Sequence, residues 1–276
     1  MNFLQALVLG IVQGLTEFLP ISSSGHLVLV RSLFGLDLEG TLAFDLLLHV
    51  GTLVSVILVF WKDLAGMFLE FFRMLKDLMR GDPKFNQNAN RKMIALLFIA
   101  MIPMIPALFI KDKIEQLPTW AVGVALLFTG LLLYITDVMP SGKKRAMEMK
   151  YKNALFVGVV QFFAVIPGLS RSGSTIFGGV FSGLDKKFAV KFSFLLSIAA
   201  ILGGVASAAN EILKAEAVVS VGIGAMICAM FVAAVVGILA IKFLVALLSK
   251  GKYKYFSYYC WAVGVLTIVL SIKGMI

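Results

Sequence analysis

Residues 6–37, "ALVLGIVQGLTEFLPISSSGHLVLVRSLFGLD", lie without a gap over residues 154–185, "ALFVGVVQFFAVIPGLSRSGSTIFGGVFSGLD", at a constant offset of 148. Of the 32 aligned positions 11 are identical, among them Gln13/Gln161, Ser22/Ser170, Ser24/Ser172 and Gly25/Gly173. Apolar letters recur by chance, but a shared Gln, a shared Ser-x-Ser-Gly and a shared Gly-Leu-Asp mark an internal repeat. Each copy is an apolar arm, a proline, a Ser/Gly-rich turn and a second, short apolar arm, so neither serves as a simple span. Irregular backbone at membrane depth survives only where protein encloses it or where it lines a wet cavity. The expected form is therefore a re-entrant helix–turn–helix, once over residues 3–36 and again over 154–184.

The rest of the chain supports a membrane setting. Hydrophobic residues make up 60% and charged residues 14% of the 276 positions, more apolar surface than a water-soluble fold can bury. The first twenty residues lack a basic n-region and a small-residue cleavage pattern and carry Glu17, so they do not read as a removable signal peptide. Cys228 and Cys260 sit far apart in apolar stretches and read as buried thiols.

Six stretches are long enough to cross a hydrocarbon core: 41–61, 93–110, 120–137, 188–209, 218–247 and 255–273. Pro103 and Pro106 should kink the second. The expected fold is an all-α polytopic membrane protein, with six full transmembrane helices and two re-entrant hairpins. It forms one membrane domain over 1–276, with halves 1–137 and 154–276 joined by a linker at 138–153. Three spans separate the hairpins, and three is odd, so the hairpins enter from opposite faces and their turns can meet. This is the inverted-repeat arrangement of transporters.

Basic residues orient the chain. One side holds Lys62, Arg73, Lys76, Arg80, Lys84, Arg91 and Lys92, five more between Lys143 and Lys152, and Lys186, Lys187, Lys250, Lys252 and Lys254, 17 in all. The other has five: Arg31, Lys111, Lys113, Lys214 and Lys273. Positive-inside places the richer side in the cytoplasm, with the second hairpin entering from it and the first from outside. The net charge of +10 is then explained by topology and anionic lipid, and nucleic acid is not required.

The two turns carry the chemistry. The first offers Gln13 and Glu17, one helical turn apart, then Ser22, Ser23, Ser24, Gly25 and His26. The second offers Ser170, Arg171, Ser172, Gly173, Ser174 and Thr175 ahead of a helix. Hydroxyls, an arginine and glycine-freed amides at a helix start make an anion site suited to phosphate. A carboxylate, a histidine and serines opposite supply an acid or base, a nucleophile and oxygen ligands for a metal. Together they point to phosphoryl transfer. Asp45 and His49, at i and i+4 on the first span, read as a polar pair supporting the site.

"QGLTEFLPISSSGH" and "PGLSRSGST" resemble the two signature motifs of the undecaprenyl-diphosphate phosphatase family of the bacitracin-resistance type, and the likeness extends over essentially the whole chain. The resemblance implies a multi-pass enzyme of the bacterial inner membrane. Such an enzyme hydrolyses undecaprenyl diphosphate to the monophosphate with Mg²⁺ or Ca²⁺, at a site facing the outer side. By position it implies catalytic roles for Glu17, Ser23, His26 and Arg171, and metal ligation by Glu17 and Gln13. Ser22, Ser24, Gly25, Ser170, Ser172, Gly173 and Thr175 would contact the substrate. Many members have Glu where this chain has Gln13 and Thr where it has Ser24. Whether Ser23 or water attacks stays open, as does the choice of His26 or Glu17 for the proton. A transporter or flippase for a polyprenyl phosphate is the competing class, and a second copy of the chain is a candidate partner.

Overall fold

A computed structural model describes residues 1–36, 42–82, 84–110, 114, 117–214, 222–248 and 252–276. The described residues are helical and contain no strand. The helices, in chain order, are α1 (Phe3–Phe18), α2 (Ser23–Leu33), α3 (Leu42–Val59), α4 (Trp61–Met79), α5 (Ala89–Met101), the 3₁₀ helix η1 (Ile102–Phe109), α6 (Thr119–Val138), α7 (Tyr151–Phe163), α8 (Arg171–Phe181), α9 (Lys186–Lys214), α10 (Ile223–Leu248) and α11 (Lys254–Ile272). Among the described residues, five stretches are long and apolar enough to cross a membrane, at residues 89–107, 119–138, 186–209, 223–247 and 254–272, and a sixth if α3 with α4 is one broken span. The chain is an integral membrane protein built from helices.

Local chemistry explains the element boundaries. α5 gives way to 3₁₀ geometry at Ile102 and continues through Pro103 and Pro106, because proline lacks the N–H an α-helical turn needs. α3 and α4 meet at an 84° bend after Val59. Between the expected spans 41–61 and 93–110 the structure places a 19-residue amphipathic helix over Trp61–Met79. Its apolar positions follow a 3.6-residue period, which composition by stretch does not reveal. Glu70 tethers α4 to α5: its carboxylate accepts from Arg91 Nε at 2.7 Å, and Arg91 Nη1 donates to Asp77 at 2.7 Å.

The two halves pack partly like with like, although α3 also lies against α10. α3 lies on α9 and α6 on α11, while the first arm of each hairpin packs on the middle span of the other half, α1 on α10 and α7 on α5. The repeat-related glycines Gly10 and Gly158 make this possible: a Cβ at either would strike a backbone carbonyl, of Ala229 or of Ala100. Small residues let membrane helices approach at backbone distance where no hydrophobic drive separates helix from lipid. Arg31, counted above as a charge of the sparse side, is buried and ion-paired with Asp45. Asp45 thus joins α2 to α3 instead of pairing with the His49 side chain, whose Nδ1 bonds the Asp45 carbonyl at 2.8 Å. An arginine buried in apolar surroundings demands a carboxylate more strongly than a histidine does.

Candidate active site

The turns of the two hairpins touch. The Ser22 hydroxyl caps α2 by accepting from Gly25 N–H and also accepts from Gly168 N–H at 3.1 Å, across the hairpin boundary. In the second hairpin Ser170 caps α8 by accepting from Gly173 N–H at 3.1 Å. The repeated Ser-x-Ser-Gly is therefore a helix N-cap used twice, each serine satisfying an amide that the first helical turn leaves free. Ser22 holds φ 70, a left-handed conformation costly for a residue with a Cβ. The capping bond and the contact with Gly168 hold it there. Gly168 itself has φ +96, and its carbonyl accepts from Thr129 at 2.8 Å.

Glu17, at the end of α1, is where the chemistry gathers. One carboxylate oxygen, Oε1, is ion-paired with Arg171 Nη2 from the opposite hairpin. The other, Oε2, accepts from Ser23 Oγ at 2.6 Å and from Gln13 Nε2 at 3.1 Å. Ser23 and Arg171 are the first residues of α2 and α8 and occupy equivalent places in the repeat. The pseudo-symmetry thus delivers a hydroxyl and a guanidinium to the same carboxylate from two sides. Gln13 and Glu17 are buried, Arg171 is part-exposed, and Ser24 is the most open of the three serines.

His26 stands apart from Ser23. Its Nδ1 bonds the Ser22 carbonyl at 2.8 Å and its Nε2 lies 2.9 Å from the Tyr259 hydroxyl. A carbonyl only accepts, so Nδ1 carries the hydrogen and the neutral ring accepts from Tyr259 at Nε2. The two rings are nearly parallel, at 9°. Tyr259 was not singled out from the sequence: it lies 233 residues away on a different span, and nothing in its local pattern marks it.

The remaining second-hairpin hydroxyls are turned into the protein. Ser172 Oγ donates to the Leu19 carbonyl at 3.3 Å, another tie between hairpins. Thr175 Oγ1 lies 2.6 Å from Ser193 Oγ and donates to the Arg171 carbonyl at 2.9 Å. These contacts position Arg171; Arg171 and Ser23 are half-buried and Ser24 is exposed.

The oxygen donors suit a hard cation in part. Gln13 Oε1 is buried and has no hydrogen-bond partner, and such an orphan costs free energy unless something meets it. With Glu17 it offers two oxygens, the kind of donor Mg²⁺ and Ca²⁺ take. Among the described residues no group of three or more His, Cys, Asp or Glu side chains gathers to hold a metal, so most of a coordination shell would come from substrate and water.

Comparison with known proteins bears on this geometry. A family model described as Bacitracin resistance protein BacA matches residues 6–266. A protein of Alkaliphilus metalliredigens named undecaprenyl-diphosphatase is 41% identical over 280 residues, covering 99% of this chain and 100% of its own length. Proteins of the same name from Methanosphaera stadtmanae and Bacteroides fragilis are 40% and 38% identical over 99% and 98% of this chain. The two motifs that meet at Glu17 fall inside the matched region, and the chain belongs to the bacitracin resistance protein BacA family.

Proposed function

We infer that this protein is an undecaprenyl-diphosphatase, an integral membrane enzyme that releases the terminal phosphate of undecaprenyl diphosphate and returns the monophosphate carrier lipid to cell-wall synthesis. The observation that carries the reading is the Glu17 carboxylate, bonded at once to a hydroxyl of one hairpin and a guanidinium of the other. A nucleophile, a base and an anion clamp need to meet within a few ångströms.

In this reading the hairpins are re-entrant, the six spans cross the inner membrane, and the site opens to the outer side. The terminal phosphate draws the Arg171 guanidinium from Glu17 and receives its forked, charge-assisted hydrogen bonds. Glu17, relieved of its counter-ion, takes the Ser23 proton through the contact already present. Ser23 Oγ attacks the terminal phosphorus, the bond to the bridging oxygen breaks, and prenyl monophosphate leaves. Water then hydrolyses the phosphoserine, returning the proton to Ser23 and releasing phosphate. His26, held by Ser22 and Tyr259, fixes the turn that presents Ser23. Gln13 and Glu17 oxygens would hold Mg²⁺ or Ca²⁺, which supplies charge neutralisation to the diphosphate.

Phosphate release from purified protein given a prenyl diphosphate, with and without EDTA, tests the reading. Activity lost in EDTA and restored by Mg²⁺ or Ca²⁺ is expected, as is retained activity in Gln13→Glu with metal bound at least as tightly. Full turnover in chelator would remove the cation, and absence of phosphate release under any condition would overturn the function.

A further inference from the structure

Two cavities lie end to end in the crevice between α4, α5 and α9, away from Glu17. One, of about 340 Å³, is lined by Asp63, Asn90, Arg145, Glu148 and Lys191 along with apolar residues. The other, of about 650 Å³, is lined only by apolar side chains, including Leu64, Phe68, Phe71, Ile94, Phe98 and Leu202. Met67 lines both.

Their order along the helices is informative. On α9 the lining runs from Lys191 to Leu202, and on α5 from Asn90 to Phe98, in each case from the end beside the basic loops toward the middle of a span. Eleven helical residues cover roughly 16 Å, so a charged mouth opens at the membrane surface and an apolar groove continues into the hydrocarbon. Such a feature fits an amphiphile standing with its head at the basic-loop face and one chain in the groove.

Charge selects the head. The mouth carries two cations, Arg145 and Lys191, and two carboxylates, Asp63 and Glu148; Lys191 Nζ and Asp63 already pair at 2.6 Å. A head with only negative charge would meet both carboxylates, whereas a head with a phosphate and a primary ammonium can satisfy both signs. We propose that this crevice is a binding site for a zwitterionic aminophospholipid of the phosphatidylethanolamine class. The phosphate lies toward Arg145 and Lys191, the ammonium toward Asp63 and Glu148, and an acyl chain along Phe98 and Leu202. The site is separate from the one that hydrolyses diphosphate, and through it the lipid braces the amphipathic α4 against α5 and α9.

Native mass spectrometry of the full chain in detergent tests this with phosphatidylethanolamine, phosphatidylcholine, phosphatidylglycerol and a prenyl monophosphate of similar mass. The ethanolamine lipid should occupy the protein at least ~10-fold more tightly than the others, because choline lacks N–H donors and glycerol lacks the cation. Arg145→Ala should weaken it through the phosphate, Glu148→Gln through the ammonium, and Leu202→Trp by filling the groove. Hydrolysis of a detergent-soluble prenyl diphosphate should stay unchanged in all three, which shows that they fold. Equal occupancy by the four lipids, tighter binding of phosphatidylglycerol or of the prenyl monophosphate, or undiminished binding in Arg145→Ala and Leu202→Trp would each overturn the proposal.

Discussion

Arg171 has a partner before any substrate arrives, and this explains how a guanidinium can sit in a Ser/Gly turn of an integral membrane protein. Its ion pair with Glu17 compensates two charges that would each be costly alone. Lysine keeps the charge but loses the planar fork that matches phosphate. Arg171→Lys should reach the membrane yet lose at least ~100-fold in kcat/KM, about 2.7 kcal/mol of transition-state stabilisation, and Arg171→Ala more. Phosphate release by purified variants checks this, and near wild-type turnover by Arg171→Ala would remove the site proposed here. Tyr259 calls for a subtler probe. Tyr259→Phe keeps the ring against His26 and deletes the 2.9 Å hydrogen bond to Nε2, worth about 1 kcal/mol or roughly 5-fold in kcat. A uniform fall across the pH–rate profile would mean that His26 only holds the turn, as proposed. A moved limb would make the imidazole a participant in proton transfer.

Among the elements, the hairpins were legible because prolines, glycines and serines punctuate them and the repeat shows the pattern twice. Residues that act through chain contacts at close range, such as Gln13 and Glu17, were legible too. Tertiary partners were not. Tyr259 and Thr129 carry no local signal, Arg31 looked like one more loop charge, and α4 vanished into a charge count because its apolar stripe is periodic and not continuous. The structure also picks out Gly168, whose N–H and carbonyl join Ser22 to Thr129. A Cβ there would collide with the Val122 carbonyl, at a φ that side chains rarely adopt. Gly168→Ala should therefore part the two turns, costing about 1–3 kcal/mol of stability and abolishing turnover. Gly204→Ala, at a helical glycine with open space around its Cβ position, should leave both unchanged. Thermal unfolding in detergent alongside phosphate release separates these outcomes.

For the whole molecule, the packing of α3 on α9 and α6 on α11, with the reciprocal α1–α10 and α7–α5 contacts, is what two halves related by a twofold axis allow. Packing alone leaves open whether that axis lies in the membrane plane or along its normal. In the reading proposed here, three spans between the hairpins would make the halves antiparallel, and the basic loops would then collect on one face. Burial of Arg31 against Asp45 strengthens the asymmetry, since a neutralised, buried pair contributes little as a loop charge. A single cysteine placed at Lys143, in the basic linker, should resist a membrane-impermeant maleimide in intact cells and react once they are opened. One placed at Lys273, just beyond α11, should react from outside. Both belong in a Cys228→Ala/Cys260→Ala background, because Cys228 is only half-buried. Because Lys143 lies between the halves and Lys273 after the last span, three further spans separate them, so the two labels must differ if every apolar stretch of the second half crosses. Labelling of both sites from one side would mean that one or all three of α9, α10 and α11 do not cross, and labelling of Lys143 alone from outside would invert the protein and place Ser23 and Arg171 toward the cytoplasm.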